Sequence, residues 1–335
     1  MGMVDVLALA LAAFALSIWI VVPGPVPTLF LVSVGATELW PLLALINVAI
    51  LMGGLRSRSR WRCATIALAS GSLLCSLVPP TAYAFRGPRV PISALLTPWP
   101  IAEPKGSAAQ NAPTVLAIYG GAWERGSPRN DARLNERIAS WGYNVRALDY
   151  PHSPAFRWPA QRDAIVRQID AIRDGKLILL GHSSGAQLAL IAGALRPKRI
   201  SGIITYESPV DLKLGYEFPM QPDIINARQI TSDLCGGPPQ RHPACYRSAS
   251  PRYVVHHGMP PVLMLAGARD HVIDPQLQQV LRDTMRSDGI RVKYVELPWA
   301  DHSFETVSYG FHNRIAMWYV RNFIDQVAKT TSRGR

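Results

Sequence analysis

Three stretches of this 335-residue chain carry no charged side chain: residues 6–37, 39–55 and 63–85. They constrain the fold most strongly, because runs that long and that apolar must be buried in protein or in lipid. A hydrocarbon core about 30 Å thick is crossed by about 20 apolar helical residues. Three segments are expected to cross it: 4–22, 28–55 and 63–79. Pro23, Pro25 and Pro27 separate the first from the second, since proline removes a helical donor and clashes with the preceding turn. Glu38 and Pro41 interrupt the second. A carboxylate inside a span is costly, so Glu38 is expected at an interface or facing a helix partner; with no second ionisable residue well inside a span, a proton relay is disfavoured. The opening MGMVD lacks the basic region of a cleaved signal, and two more apolar stretches follow it.

Charge places these segments relative to the rest. Of 35 Lys/Arg and 23 Asp/Glu, only Arg56, Arg58, Arg60, Arg62, Asp5 and Glu38 fall in the first 80 residues. The chain therefore divides into a membrane segment (1–82), a Pro-rich linker (83–112) and a moderately basic soluble domain (113–330). Four arginines in the RSRSRWR loop belong on the cytoplasmic side. Reading outward from that loop, the N-terminus is inside, the proline-rich turn outside, and everything after the third span outside. Cysteine usage agrees. Cys235 and Cys245 flank a loop with three prolines and two glycines, and a disulfide closing it implies an oxidising compartment. A zinc site there would have only His242 as a third local ligand, one short of a closed structural site. Cys63 and Cys75 read as packing residues of the third span. The net charge of +12 is scattered, which suits anionic lipid head groups better than nucleic acid.

From residue 113 apolar runs alternate with helical periodicity. Strands are expected at 115–120, 144–150, 177–181, 200–207, 262–267 and 292–297. Helices are expected at 131–141, 160–174, 184–195, 275–287 and 311–328. Alternation of this kind builds a mainly parallel sheet covered on both faces, an α/β fold. Residues 211–258 break the rhythm, and an insertion after a strand's C-terminal end sits over the ligand crevice, as a small cap.

The chemistry centres on GHSSG, residues 181–185. G-x-S-x-G arises by chance in roughly one chain in ten of this length, so its context must decide. A strand precedes it and a helix follows. That is the sharp turn that lifts a serine above the sheet, with glycines two residues to either side removing side chains that would clash. Ser183 is then the nucleophile, and the N–H of Ser184, at the helix N-terminus, is the natural first oxyanion donor. Gly120 and Gly121, in the loop after an earlier strand, can turn further N–H groups toward the same carbonyl. A serine needs a base, and the acid and base should follow in that order. Asp270 in GARDHVID and His302 in ADHSF both fall at C-terminal strand ends. His182, His271, His256 and His257 are rival bases, and Asp274 and Asp301 rival acids.

Together these blocks resemble the α/β-hydrolase fold, and within it the esterase/lipase group that includes hormone-sensitive-lipase-like, feruloyl-esterase-like and arylformamidase-like enzymes. YGGAW at 119–123 is similar to that group's H-G-G-x-W oxyanion loop, with Tyr119 in place of the usual histidine. The resemblance implies backbone donors at Gly121 and Ala122. It also makes Glu207 and Asp211 positional alternatives for the acid, as on some members of the fold. What it implies overall is a membrane-anchored carboxylic-ester hydrolase that needs neither metal nor cofactor and acts on small-molecule or lipid acyl esters. Amides such as N-formyl arylamines, or peptides, are the substrate alternative. A non-catalytic binding role would usually show a missing triad member, and a transport role has little support from one acid in three spans.

Overall fold

The computed structural model describes residues 3–96, 112–173, 175–308 and 310–330. Most of the expected linker, 97–111, lies outside the described residues, as does Asp174 at the end of the helix expected over 160–174.

The N-terminal third is helical: α1 (Met3–Ser17, extended by a 3-10 turn at Ile18–Ile20), α2 (Pro27–Glu38), α3 (Trp40–Arg56), α4 (Arg62–Arg86) and the short α5 (Ile92–Leu96). α1, α3 and α4 pack on one another around Ala10, Ala13, Ile50 and Ala69. Small side chains let helix backbones approach closely. Among the described residues α4 alone is long and apolar enough to cross a membrane unaided. The sequence suggests one helix over 28–55; the structure instead bends it by 76° at Leu39, between α2 and α3. Pro41 lies in the first turn of α3, where its missing N–H is tolerated, so the helix restarts there. Cys63 is exposed and Cys75 half-buried, so close packing does not describe Cys63.

β1 (Thr114–Ile118), α6 (Ala132–Ala139), β2 (Asn144–Leu148), α7 (Ala160–Ala171), β3 (Leu177–His182), α8 (Ser184–Leu195) and β4 (Ile200–Tyr206) follow. Between β4 and the next strand lie α9 (Leu212–Glu217), α10 (Ala227–Cys235) and α11 (Pro243–Ser248), the helical cap. β5 (Val262–Gly267), α12 (Pro275–Ser287), β6 (Val292–Leu297) and α13 (Phe311–Thr330) complete the chain. The six strands are all parallel in the order β2-β1-β3-β4-β5-β6. β3 is buried at every position, whereas β2 and β6, at the edges, alternate with exposed residues. A continuous apolar run such as LILL marks a strand covered on both faces. Each fully buried aliphatic side chain there contributes about 1.5–3 kcal/mol. One face is closed by α7, α8 and α12 around Ile165, Leu188 and Leu281, the other by α6 and α13 around Ile138, Val320 and Ile324. Winding reverses between β1 and β3, which opens a crevice at their C-terminal ends. In the cap, a Cys235–Cys245 disulfide with Cα atoms 5.6 Å apart ties α10 to α11, as the loop composition suggests.

The helical segment rests on this crevice edge. The Arg269 guanidinium donates to the carbonyls of Ile20 and Val21 at 2.5 and 2.6 Å, and the Trp299 indole donates to Ile20 at 2.8 Å. Phe30 and Val34 of α2 pack with Ile224 of the cap, Val272 and Val307. Glu38 is buried against α13, where its carboxylate meets His312 Nδ1 at 2.6 Å and accepts the His312 N–H at 2.9 Å. Facing a helix partner is thus the correct half of the Glu38 expectation, but the partner belongs to the α/β layer.

Candidate active site

The turn from β3 into α8 is built by close approach. A Cβ on Gly181 would sit 2.3 Å from the Gly185 carbonyl oxygen, and one on Gly185 would sit 2.1 Å from that of Ile118. Only glycine fits either place. Ser183 between them adopts φ +49°, a left-handed strain for a residue with a Cβ. The strain is held by Ser183 N–H donating to Tyr206 O at 2.9 Å and by the first turn of α8 closing on the Ser183 carbonyl.

The Ser183 hydroxyl lies 3.1 Å from His302 Nε2, and His302 Nδ1 lies 2.9 Å from Asp270 Oδ2. The second Asp270 oxygen accepts from the Val272 and Ile273 amides, both at 2.8 Å, which fixes the carboxylate. The structure therefore assembles all three residues suggested by the sequence, from β3, the loop after β5 and the loop after β6. Burial alone would lower the His302 pKa, but the charge and hydrogen bond of Asp270 outweigh it and hold it above the usual histidine value. An imidazole so placed can take the serine proton, with Asp270 stabilising the cation that forms.

Of the rival groups, Glu207 also approaches His302 Nδ1, at 3.4 Å; the others are engaged elsewhere. Asp301 holds the His271 ring at 2.6 Å and accepts the His302 amide. Asp274 caps α12, and Asp211 caps α9 while pairing with Arg252. His182 is held by Glu305 at 3.1 Å and stacks on Tyr206. Burial opposes the His182 charge, yet Asp131 and Glu305 raise its pKa; Glu305, despite its own burial, is lowered by the His182 hydrogen bond. His256 and His257 are exposed. Glu305 escaped the sequence reading, although its place three residues after His302 was the available signal.

The oxyanion loop follows β1. Gly121, Ala122 and Trp123 run through positive φ values of 135°, 56° and 62°, turning the chain back over the elbow. Ala122, Ser183 and Ser184 line one cavity, and Gly121 immediately precedes Ala122 in the same loop. Tyr119 replaces histidine without loss of anchoring. Its hydroxyl donates to Asp149 at 2.6 Å and lies 2.9 Å from His152 Nε2, and its ring stacks on Tyr150. Burial and then the Asp149 hydrogen bond raise the Tyr119 pKa, so the phenol keeps its proton. The cavity measures about 70 Å³ and is walled by Leu212, Phe218, Ile225, Ile230, Val272 and Leu277. Its lining is mostly apolar, with Leu212, Phe218, Ile225 and Ile230 contributed by the cap.

An elbow serine at the winding reversal of a parallel sheet, with acid and histidine on later strand ends, defines the α/β-hydrolase class. The BD-FAE family model matches residues 100–285, more than half of the chain, and the chain belongs to that family. The match includes Ser183 and Asp270 and ends before His302. Esterase LipQ of Mycobacterium tuberculosis (strain ATCC 25618 / H37Rv) is similar, 26% identical over 226 residues, covering 61% of this chain and 53% of the relative. The acetyl-hydrolase of Streptomyces hygroscopicus is 25% identical over 214 residues, covering 58% and 69%. The chain thus spans about half the length of the first of these curated relatives. Among solved structures, esterase B from Lactobacillus rhamnosis superposes with a TM-score of 0.59 at 18% identity, covering 69% of this chain and 82% of that one. A Pyrobaculum calidifontis esterase gives 0.57 at 16%, covering 68% and 79%. These likenesses establish the shared fold.

Proposed function

We propose that this chain is a membrane-anchored serine hydrolase that cleaves carboxylic esters through an acyl-enzyme. The observation that carries this reading is the 3.1 Å contact of a strained elbow serine, which lines an apolar cavity, with the buried, Asp270-held His302. Ser183 attacks the ester carbonyl as His302 Nε2 takes its proton. The backbone N–H groups of Gly121, Ala122 and Ser184 receive the oxyanion. His302 then protonates the departing alkoxide, and water repeats the sequence on the acyl-enzyme. The names of the relatives, esterases and an acetyl-hydrolase, agree with this chemistry. An apolar pocket of about 70 Å³ favours short acyl groups.

Membrane anchoring is supported by the same geometry. α4 is about 37 Å long, and Tyr83 near its C-terminal end packs on Phe311 of α13, so the arginine loop before α4 lies at the far end of the bundle. With that loop cytoplasmic, α1, α3 and α4 make the three crossings and α2 lies across their outer end, against the catalytic layer. The layer is then extracytoplasmic, which suits its disulfide.

The test is turnover of a p-nitrophenyl ester series by purified full-length protein and Ser183→Ala in detergent. Acetate and butyrate should be hydrolysed faster than decanoate, and the variant should be inactive. Equal rates in both proteins would remove Ser183 from the mechanism. Hydrolysis of an arylformamide or peptide in place of every ester would move the substrate class.

A further inference from the structure

A second carboxyl reaches the same ring nitrogen that Asp270 holds. Glu207 Oε2 lies 3.4 Å from His302 Nδ1, against 2.9 Å for Asp270 Oδ2. Glu207 follows β4 and Asp270 follows β5, so two adjacent strand ends present acids to one imidazole. We propose that Glu207 is a reserve positioning carboxyl for His302, able to take over the Nδ1–H when Asp270 is absent; this rests on the Ser183–His302 reading above.

Three observations support a built role over chance proximity. Glu207 adopts φ +52°, a strained conformation for a residue with a side chain, which persists only where the surroundings enforce it. The enforcement is visible: its N–H donates to Leu265 O at 2.9 Å, and its Oε2 accepts the Ser303 N–H at 2.6 Å, one residue beyond the catalytic histidine. Its other oxygen, Oε1, is fully buried and has no hydrogen-bond partner among the described residues. A buried carboxylate oxygen left unpaired is strongly disfavoured, whereas a neutral carboxyl is tolerated.

The surroundings explain why the group stays in reserve. Asp270 approaches from the loop after β5, His302, Asp301 and Glu305 from the loop after β6, and Tyr206 from its own strand. Burial, and then the charges of Glu305 and Asp270, push the Glu207 pKa well above the usual carboxylate range. Beside Asp270 and Glu305, Glu207 is held toward its neutral form. Removing Asp270 deletes one of those charges. Glu207 can then release its proton to solvent and accept His302 Nδ1–H through Oε2, with no bond to carbon made or broken.

The experiment compares Asp270→Ala, Glu207→Gln and the double variant of the full-length protein. Alanine is chosen at 270 because an amide there would donate to Nδ1 and enforce the wrong tautomer. Loss of a sole acid lowers kcat by about 10⁴-fold. Here Asp270→Ala should lose only about 10- to 100-fold, with KM little changed and a new alkaline rise in kcat as Glu207 ionises. The double variant should lose at least a further tenfold, and the rise should vanish. A substrate-independent readout is the downfield proton resonance of His302 Nδ1–H, present in Asp270→Ala and lost in the double variant. Identical kcat, pH profile and spectrum in single and double variants would overturn the proposal. If the double variant does not fold, absence of both the alkaline rise and the resonance in Asp270→Ala does the same. A wild type inactive on esters would instead count against the hydrolase reading, and the resonance would still decide the role of Glu207.

Discussion

Two of the buried carboxylate–histidine pairs differ in what their histidines face. At the site, Asp270 holds His302 at 2.9 Å; at the joint between α2 and α13, Glu38 holds His312 at 2.6 Å. Both are shut off from solvent. They differ at the second ring nitrogen. His302 Nε2 faces the hydroxyl of Ser183, which can give up a proton and itself lines the apolar cavity. His312 Nε2 faces the Pro298 carbonyl at 2.8 Å, which has no proton to give. An acid beside a histidine is therefore no signature of catalysis; the partner of the free nitrogen decides. At the joint, the same kind of pair fastens the apolar helices to the α/β layer.

The comparison is tested most severely at its proposed catalytic half. Ser183→Ala should lower kcat by about 10⁴- to 10⁶-fold while the thermal unfolding of the purified protein stays put. A comparable loss of kcat in a correctly folded His312→Ala protein would erase the distinction between the pairs. The joint should fail in the other currency. Glu38→Ala leaves His312 and two backbone amides without their acceptor, and breaking one side of a buried pair costs about 3–5 kcal/mol. The unfolding midpoint in detergent should fall accordingly, with kcat per folded molecule within a few-fold of wild type.

Between these regions the cap offers a smaller effect. Its disulfide closes a short loop with a sequence separation of 10, and removing a bridge of that size costs about 2–4 kcal/mol, chiefly through the unfolded chain. Cys235→Ser/Cys245→Ser should lower the unfolding midpoint less than Glu38→Ala. It should also alter the chain-length preference, because α10 carries Ile230 into the pocket wall. An unchanged ester profile would mean that α10 is held by packing alone.

The two regions were also unequally legible. Ser183, Asp270 and His302 could be read because strand ends, glycine spacing and chain order are local signals, and a parallel sheet gathers such ends on one edge. The six strands and the cap were legible for the same reason. The joint was not. Glu38 and His312 are 274 residues apart, and no local pattern links them. Composition marked the 28–55 stretch as apolar but could not tell a straight span from two helices bent at Leu39, since hydropathy carries no direction. Glu305 was missed because an acid three residues past a histidine has meaning only once the fold turns it toward His182. Glu207 could be weighed as an alternative acid, but its sharing of one ring nitrogen with Asp270 is a three-strand geometry that no single stretch encodes.

The smallest effect, and the sharpest on the comparison, is the pH dependence of kcat/KM. In the proposed mechanism His302 must be neutral to take the Ser183 proton. Its pKa is held above the ordinary histidine value of about 6.5, because the charge and hydrogen bond of Asp270 outweigh burial. Protonation therefore removes activity as pH falls through that raised value, and activity is complete only above it. The profile of wild type on a soluble ester should rise with an inflection on the alkaline side of a free imidazole, with KM contributing little to the change. Glu38→Ala should leave this inflection in place, since its carboxylate serves His312 and not His302. Movement of the inflection in Glu38→Ala would mean that the joint and the site are electrostatically one network, and the separation drawn from their second nitrogens would have to be abandoned.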